Sequence, residues 1–159
     1  MRVTMKADFS RARQDIQAWS QAKLKQIQDI VNEAALNVQT GAKKRCPVDT
    51  GRLRSSIAIE PANGPGYVLR VGTKVFYAPY VEFGTGIFSE HPAGGRQTPW
   101  AFPVPKTGKN KDKYKFKRIE INGQEYFVTR GAKPHPFLFP AAEEERPRYL
   151  AAMREALKQ

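Results

Sequence analysis

From Asp8 to about Lys44 apolar side chains return at a helical spacing, and no other stretch restricts the fold as much. Ile16, Leu24, Ile27, Val31, Ala34, Val38 and Ala42 follow one another at steps of three, four or multiples of these, with Trp19 beside the stripe. That period predicts a single amphipathic helix with one buried face. Unbroken, it is about 55 Å long at roughly 1.5 Å per residue, more than a small domain can cover. Its N-terminal turns therefore project or meet another subunit. Pro47 stops it, because a proline pushes the residue before it out of the helical region.

The rest of the chain has to cover that face. At 159 residues a single domain spanning 1–159 is expected, long enough to bury a core. Hydrophobic residues at 40% and charged residues at 26% lie close to globular averages and argue against wholesale disorder. In "PVDTGRLRSSI", Pro47 to Ile57, Asp49 and Thr50 can accept from the amides that follow, and Gly51 permits a tight turn. This predicts a capped helical turn feeding a strand, Ile57 to Glu60. After the loop PANGPG, Tyr67 to Gly72 alternates as its antiparallel neighbour. A second hairpin is signalled in "RIEINGQEYFVTR", Arg118 to Arg130, where Asn122-Gly123 suits the positive φ angles of a type I′ turn. The end of the chain enters a helix near Pro140, with Glu143, Glu144 and Glu145 near its positive end and Lys158 near its other end. Pro147 falls in the first turns or interrupts them, and Tyr149, Leu150, Met153 and Leu157 give the buried face. The fold class is α+β: a small, mostly antiparallel sheet flanked by the long N-terminal helix and the C-terminal helix.

A long Pro/Lys-rich segment interrupts this scheme. Between Gly84 and Gly108 the density of glycine and proline favours an extended loop. Phe88, Trp100, Phe102 and Val104 are nonetheless too apolar for a solvated linker, so some of them dock on the core or on a partner. Lys106 to Arg118 holds seven basic residues and one acid, half of the chain's net charge of +12. Residues 87–118 thus form an extended basic loop within the single domain.

A net +12 with pI near 10.0 points to an acidic partner: nucleic acid, an anionic membrane surface or a negatively charged protein assembly. No run of about 18 apolar residues exists and the first residues lack an export-signal core, so a soluble, cytosolic chain without membrane contact is expected. The lone Cys46 has no internal partner and no thiolate cluster around it, which favours a buried structural thiol. In the loop, Tyr114 and Phe116 interleave with Lys106, Lys109, Lys111, Lys113, Lys115, Lys117 and Arg118, the pattern of phosphate neutralisation with base or apolar contact. The alternative is a solvated lysine-rich face. Poor in arginine, such a patch suits sequence-independent DNA contact or an acidic partner more than base readout.

The densest motif is "YAPYVEFGTG", Tyr77 to Gly86. Glu82 as general acid needs a titratable partner and a pocket, and the two histidines, His91 and His135, stand in no spacing that suggests a dyad or a metal site. The glycines are too few and wrongly spaced for a phosphate loop or dinucleotide fingerprint. No cofactor or metal is expected, and no enzymatic activity. A structural corner accounts for more of the residues: Tyr77, Tyr80, Val81 and Phe83 bury one face of a short helical turn or twisted strand, Pro79 starts it, and Gly84 and Gly86 let the chain reverse. Glu82 then faces water or pairs with Arg52 or Arg54.

Taken together, "CPVDTGRLRSSI", "VGTKVFYAPYVEFGTG" and "GAKPHPFLFPA" resemble a family of tailed-bacteriophage neck proteins, the tail-completion or head-tail joining proteins of lambdoid-type long-tailed phages. The order of the blocks, the long basic helix before them and the helix after them agree with that family. The pattern falls on Pro47, Asp49, Thr50, Gly51, Leu53 and Ile57, then on Gly72, Tyr77, Ala78, Tyr80, Val81, Glu82, Phe83, Gly84 and Thr85, and last on Pro136, Phe137, Leu138 and Pro140. Ile87 to Arg118 departs from it as an insertion-like stretch. The resemblance implies a non-enzymatic virion protein, made in the host cytoplasm and placed in the neck between head and tail. It implies assembly as a ring, a hexamer, between a tail tube or tail terminator protein and the head connector or stopper protein, with genomic DNA in the lumen. Two rival classes stand beside it: a nonspecific nucleic-acid-binding protein acting through Lys106 to Arg118, and a small hydrolase using Glu82 with His91 or His135.

Overall fold

Helix α1 runs from Ser10 to Arg45 in the computed structural model, which describes residues 10–63, 66–104 and 116–158. Thirty-six residues make it about 54 Å long. Only its later turns are covered. Ala35 and Ala42 are buried and Val38 packs on the core, whereas Ile16 and Trp19 are 66% and 60% exposed.

The cover comes chiefly from helix α4, Leu138–Lys158, which lies antiparallel along α1. A Cβ on Gly41 would stand 3.1 Å from that of Ala141, Asn37 Nδ2 donates to Glu145 Oε1 at 3.0 Å, and Lys23 Nζ donates to the Ala156 carbonyl at 2.9 Å. These three contacts order the pair from end to end. The turns of α1 before Lys23 extend past α4 by about 20 Å, which is the projection its length demands.

The apolar face of α4 differs from the expected one. Ala141, Glu145 and Ala156 are buried and Tyr149 and Met153 half-buried, while Leu150 is exposed and Leu157 is 70% exposed. Close approach of two helix backbones selects small side chains at the seam, so alanines occupy the contact line and the leucines sit a step around the helix. Glu144 pairs with Arg45 of α1. Pro147 lies inside α4, and the helix continues through it with one backbone bond fewer.

Between the long helices the chain forms α2, Arg52–Ser56, then β1, Ala58–Pro61, and β2, Leu69–Gly72, paired antiparallel with Ala58 opposite Gly72 and Pro61 opposite Leu69. A short helix α3, Ala78–Phe83, follows, with Pro79 in its first turn. Cys46, Leu53, Ile57, Ala78 and Phe137 join Ala42 and Ala141 in one buried cluster, with Val71, Val75, Tyr77 and Val81 against it. The N-cap of the α2 turn is Gly51, at φ +80. Thr50 Oγ1 accepts only a long 3.4 Å bond from Arg52 N.

Cys46 sits in this cluster with its Sγ 3.6 Å from the Pro47 carbonyl. Burial pushes its thiol above the ordinary value of 9.0, against the pull of the Arg54 charge and with a further push from Glu82. A raised native value keeps the proton on in the folded state. Its contribution to stability is whole below pH 9 and is lost as pH rises from there through the native value. The thiol is therefore expected to react slowly with an aromatic disulfide reagent at pH 8 in the folded protein and rapidly in denaturant. Equal rates would contradict its burial.

The second hairpin forms as expected. Strands β4, Lys117–Ile121, and β5, Gln124–Thr129, flank Asn122 at φ +51 and Gly123 at φ +75, a two-residue turn whose twist matches the strands. The segment read as loop contributes more structure than its composition predicts: a 3-10 turn at Gly86–Phe88 and a strand β3, Trp100–Pro103. β3 pairs with β5, giving a separate three-stranded sheet in the order β3-β5-β4. Proline is tolerated in β3 because it is an edge strand with amides to spare. Phe102 lies against Phe127 at 5.6 Å and Phe116 at 5.9 Å between ring centroids, and Val104 and Phe127 are buried. Phe88 stays mostly at the surface.

Candidate functional site

The motif "YAPYVEFGTG" and the segment "RGAKPHPFLFP" meet in one corner, and Glu82 is its centre. The sequence before α4, His135-Pro136-Phe137, offers none of the Ser, Thr, Asp or Asn residues that satisfy the free amides of a helix start. Glu82, buried on α3, supplies the cap from across the chain. Its Oε2 accepts from Phe137 N at 2.9 Å and Leu138 N at 3.0 Å, and its Oε1 accepts from Phe139 N at 2.8 Å. The fourth position is Pro140, which has no amide to satisfy. One carboxylate and one proline thus account for all four groups, and the negative charge sits at the positive end of the α4 dipole.

Backbone contact completes the corner. Thr85 N donates to the Ala132 carbonyl at 2.9 Å, Ile87 N to the Arg130 carbonyl at 3.0 Å, and His135 N to the Val81 carbonyl at 2.8 Å. The Thr85 hydroxyl accepts from Ala132 N at 2.9 Å. The two segments in this contact approach so closely that a Cβ on Gly86, at φ +62, would lie 2.0 Å from Arg130 O, and one on Gly131, at φ +127, 2.0 Å from Thr85 O. Gly84 reverses the chain at φ +74.

This geometry replaces the expected surroundings of Glu82. It neither faces water nor pairs with Arg52 or Arg54; both oxygens are taken up by amides. His135 offers the corner its backbone, and His91 packs edge-on against Phe83 while its Nδ1 accepts from Ala93 N. Neither imidazole hydrogen-bonds Glu82. The missed signal was the uncapped helix start itself, which requires a distant acceptor.

The remaining motif residues divide by depth. Leu53, Ala78 and Phe137 are buried; Tyr77, Val81, Phe83 and Thr85 are half-buried; Pro47, Asp49, Thr50 and Pro136 are exposed. Tyr80 was expected on the buried face and is instead 59% exposed, because the six residues of α3 turn Ala78 and Glu82, four apart, inward. Phe76 at 80% and Phe139 at 65% exposure also present aromatic rings outward from segments that the corner fixes. Of the basic loop, Lys106, Lys109, Lys111, Lys113 and Lys115 lie outside the described residues. Lys117 is exposed on β4, and the Arg118 guanidinium stands 5.4 Å from the centroid of the Phe127 ring. Among the described residues no three His, Cys, Asp or Glu side chains gather as a metal would require, and no helix is long and apolar enough to cross a membrane.

Residues 10–84 match the family model described as "Bacteriophage HK97-gp10, putative tail-component". Over this stretch the chain is HK97-gp10-like. No curated protein and no solved structure matches it. The HK97-gp10-like segment spans α1, α2, the first hairpin and α3, just under half of the chain, and ends at Gly84. It therefore contains the Glu82 carboxylate but not the three amides that the carboxylate holds. The three-stranded sheet and α4 lie beyond the HK97-gp10-like segment.

Proposed function

We propose that this chain is a structural subunit of a phage neck, a virion protein that completes the tail end and joins it to the head connector by assembling with copies of itself in a ring. The match of residues 10–84 to a phage tail-component family supports a tail structural protein. The observation that carries assembly is the exposed apolar side at the start of α1, where Ile16 and Trp19 lie beyond the end of α4 and Leu24 beside that end, 66%, 60% and 60% exposed. A helix that keeps its apolar face past its own domain is built for a neighbour. The order of the three motif blocks along the chain supports the neck in particular, and a six-membered ring placed between tail terminator and head connector is the arrangement that goes with it.

Replacing Ile16, Trp19 and Leu24 together by serine tests this. Because these side chains are exposed, the unfolding free energy of the isolated subunit is expected to change by less than about 1 kcal/mol. Ring formation, followed by sedimentation and electron microscopy of the protein alone and mixed with tails, is expected to be lost. A triple variant that assembles like the parent would remove the helix from the interface. A parent protein that stays monomeric in the presence of tails and heads would remove the ring.

A further inference from the structure

The end of α1 and the α2 turn enclose an open cleft of about 900 Å³ that the assembly role does not use. Lys43, Lys44, Arg52 and Arg54 line it together with Gln39, Thr40, Thr50 and Ser55, and no carboxylate is among the lining residues. Arg45, the next cation on α1, is turned away into its pair with Glu144, whereas among the described residues none of the four lining cations is held in an ion pair. The cleft continues past Arg52 into a second of about 730 Å³ that also holds Arg70 and ends at Phe76. There the one acid, Glu60, is paired with Lys74 at 2.6 Å.

We propose that this cleft binds the sugar-phosphate backbone of DNA, without regard to sequence. Four like charges facing one another across solvent repel, and each is relieved when a phosphate replaces its counterions. Of the other lining side chains, Thr40 offers a hydroxyl of the kind that contacts phosphate oxygens, while Gln39 Nε2 donates to the Ile57 carbonyl and Ser55 Oγ to the Arg52 carbonyl. An acidic protein partner would be expected to find an aromatic or large aliphatic anchor among the charges; the larger cleft has none in its lining, and the exposed Phe76 ring belongs to the second cleft. The site is distinct from the basic loop at Lys106 to Arg118, and it does not depend on the ring, since one subunit contains it whole.

The experiment is fluorescence anisotropy with a random-sequence duplex on the isolated protein, from about 50 to 200 mM salt. The parent is expected to bind with log affinity falling linearly in log salt. The variant Lys43→Gln, Lys44→Gln, Arg52→Gln, Arg54→Gln is expected to bind at least about tenfold more weakly and to flatten the slope by up to about 3.6, at roughly 0.9 per phosphate contact. Arg52→Lys with Arg54→Lys keeps the charge and should keep the slope, which separates loss of the site from loss of the fold; circular dichroism checks the fold directly. An unchanged slope in the four-residue variant overturns the proposal, as does a parent without salt-dependent DNA affinity. It is equally overturned if the variant loses binding to polyglutamate while its DNA binding stands, because the cleft then serves an acidic protein.

Discussion

Glu82→Ala is expected to lower the unfolding free energy by about 3–5 kcal/mol, because it strands three amides at the start of α4 and removes the charge that faced them. The Phe137 amide is buried along with its side chain, so water cannot take the place of the carboxylate there. Glu82→Gln keeps the shape and one acceptor oxygen but loses the charge and turns a donor toward an amide, and should cost about 2 kcal/mol. Urea denaturation of the two variants measures both. The ordering alanine worse than glutamine, with both losses well above 1 kcal/mol, is the signature of a helix cap. If both variants were as stable as the parent, the carboxylate would have to be present for some other purpose, and a chemical role would return to consideration.

The second large effect is expected at Gly86 and Gly131. A methyl group at either would be driven to 2.0 Å from a backbone oxygen of the opposing segment, a distance no side-chain adjustment can relieve because both parties are main chain. Each also has a positive φ, which strains any L side chain. Gly86→Ala and Gly131→Ala are therefore expected to cost at least about 3 kcal/mol each, or to prevent folding. Gly51 and Gly123 provide the comparison: both have positive φ but nothing within 4 Å of an added Cβ. Gly51→Ala and Gly123→Ala should cost only the conformational strain, about 1 kcal/mol. Thermal unfolding of the four variants, side by side, separates collision from strain. Four equal losses would mean that the corner opens readily and is not the rigid element described above.

The corner bears on the proposed assembly as well as on stability. Glu82 ties α3 to α4, and the backbone contact between Thr85 and Ala132 ties the turn after α3 to the segment before α4. Tyr80 and Phe139 project from these tied elements. An exposed ring on a fixed backbone loses little freedom when a neighbour covers it. Because Glu82 accepts from its first amides, the helix that begins with Leu138 needs no local cap.

Local chemistry alone determined a good part of this protein. The period of α1, its stop before Pro47, the Asn122-Gly123 hairpin, the pairing of β1 with β2 and the presence of a final helix all follow from interactions between residues near in sequence, where spacing and turn preference are sufficient. The first motif block and most of the second also lie within residues 10–84, the segment that matches the phage tail-component family. What tertiary structure alone decided involves partners far apart in the chain. Strand β3 exists because β5 lies beside it and because Phe102 can rest on Phe127, neither of which its proline-rich neighbourhood announces. The buried face of α4 went to Ala141, Glu145 and Ala156 because these are the positions turned toward α1, where Asn37 meets the Glu145 carboxylate. Glu82 found its place because three amides 55 to 57 residues away lacked any nearer acceptor: a buried polar group must be satisfied, and only the folded chain reveals by whom.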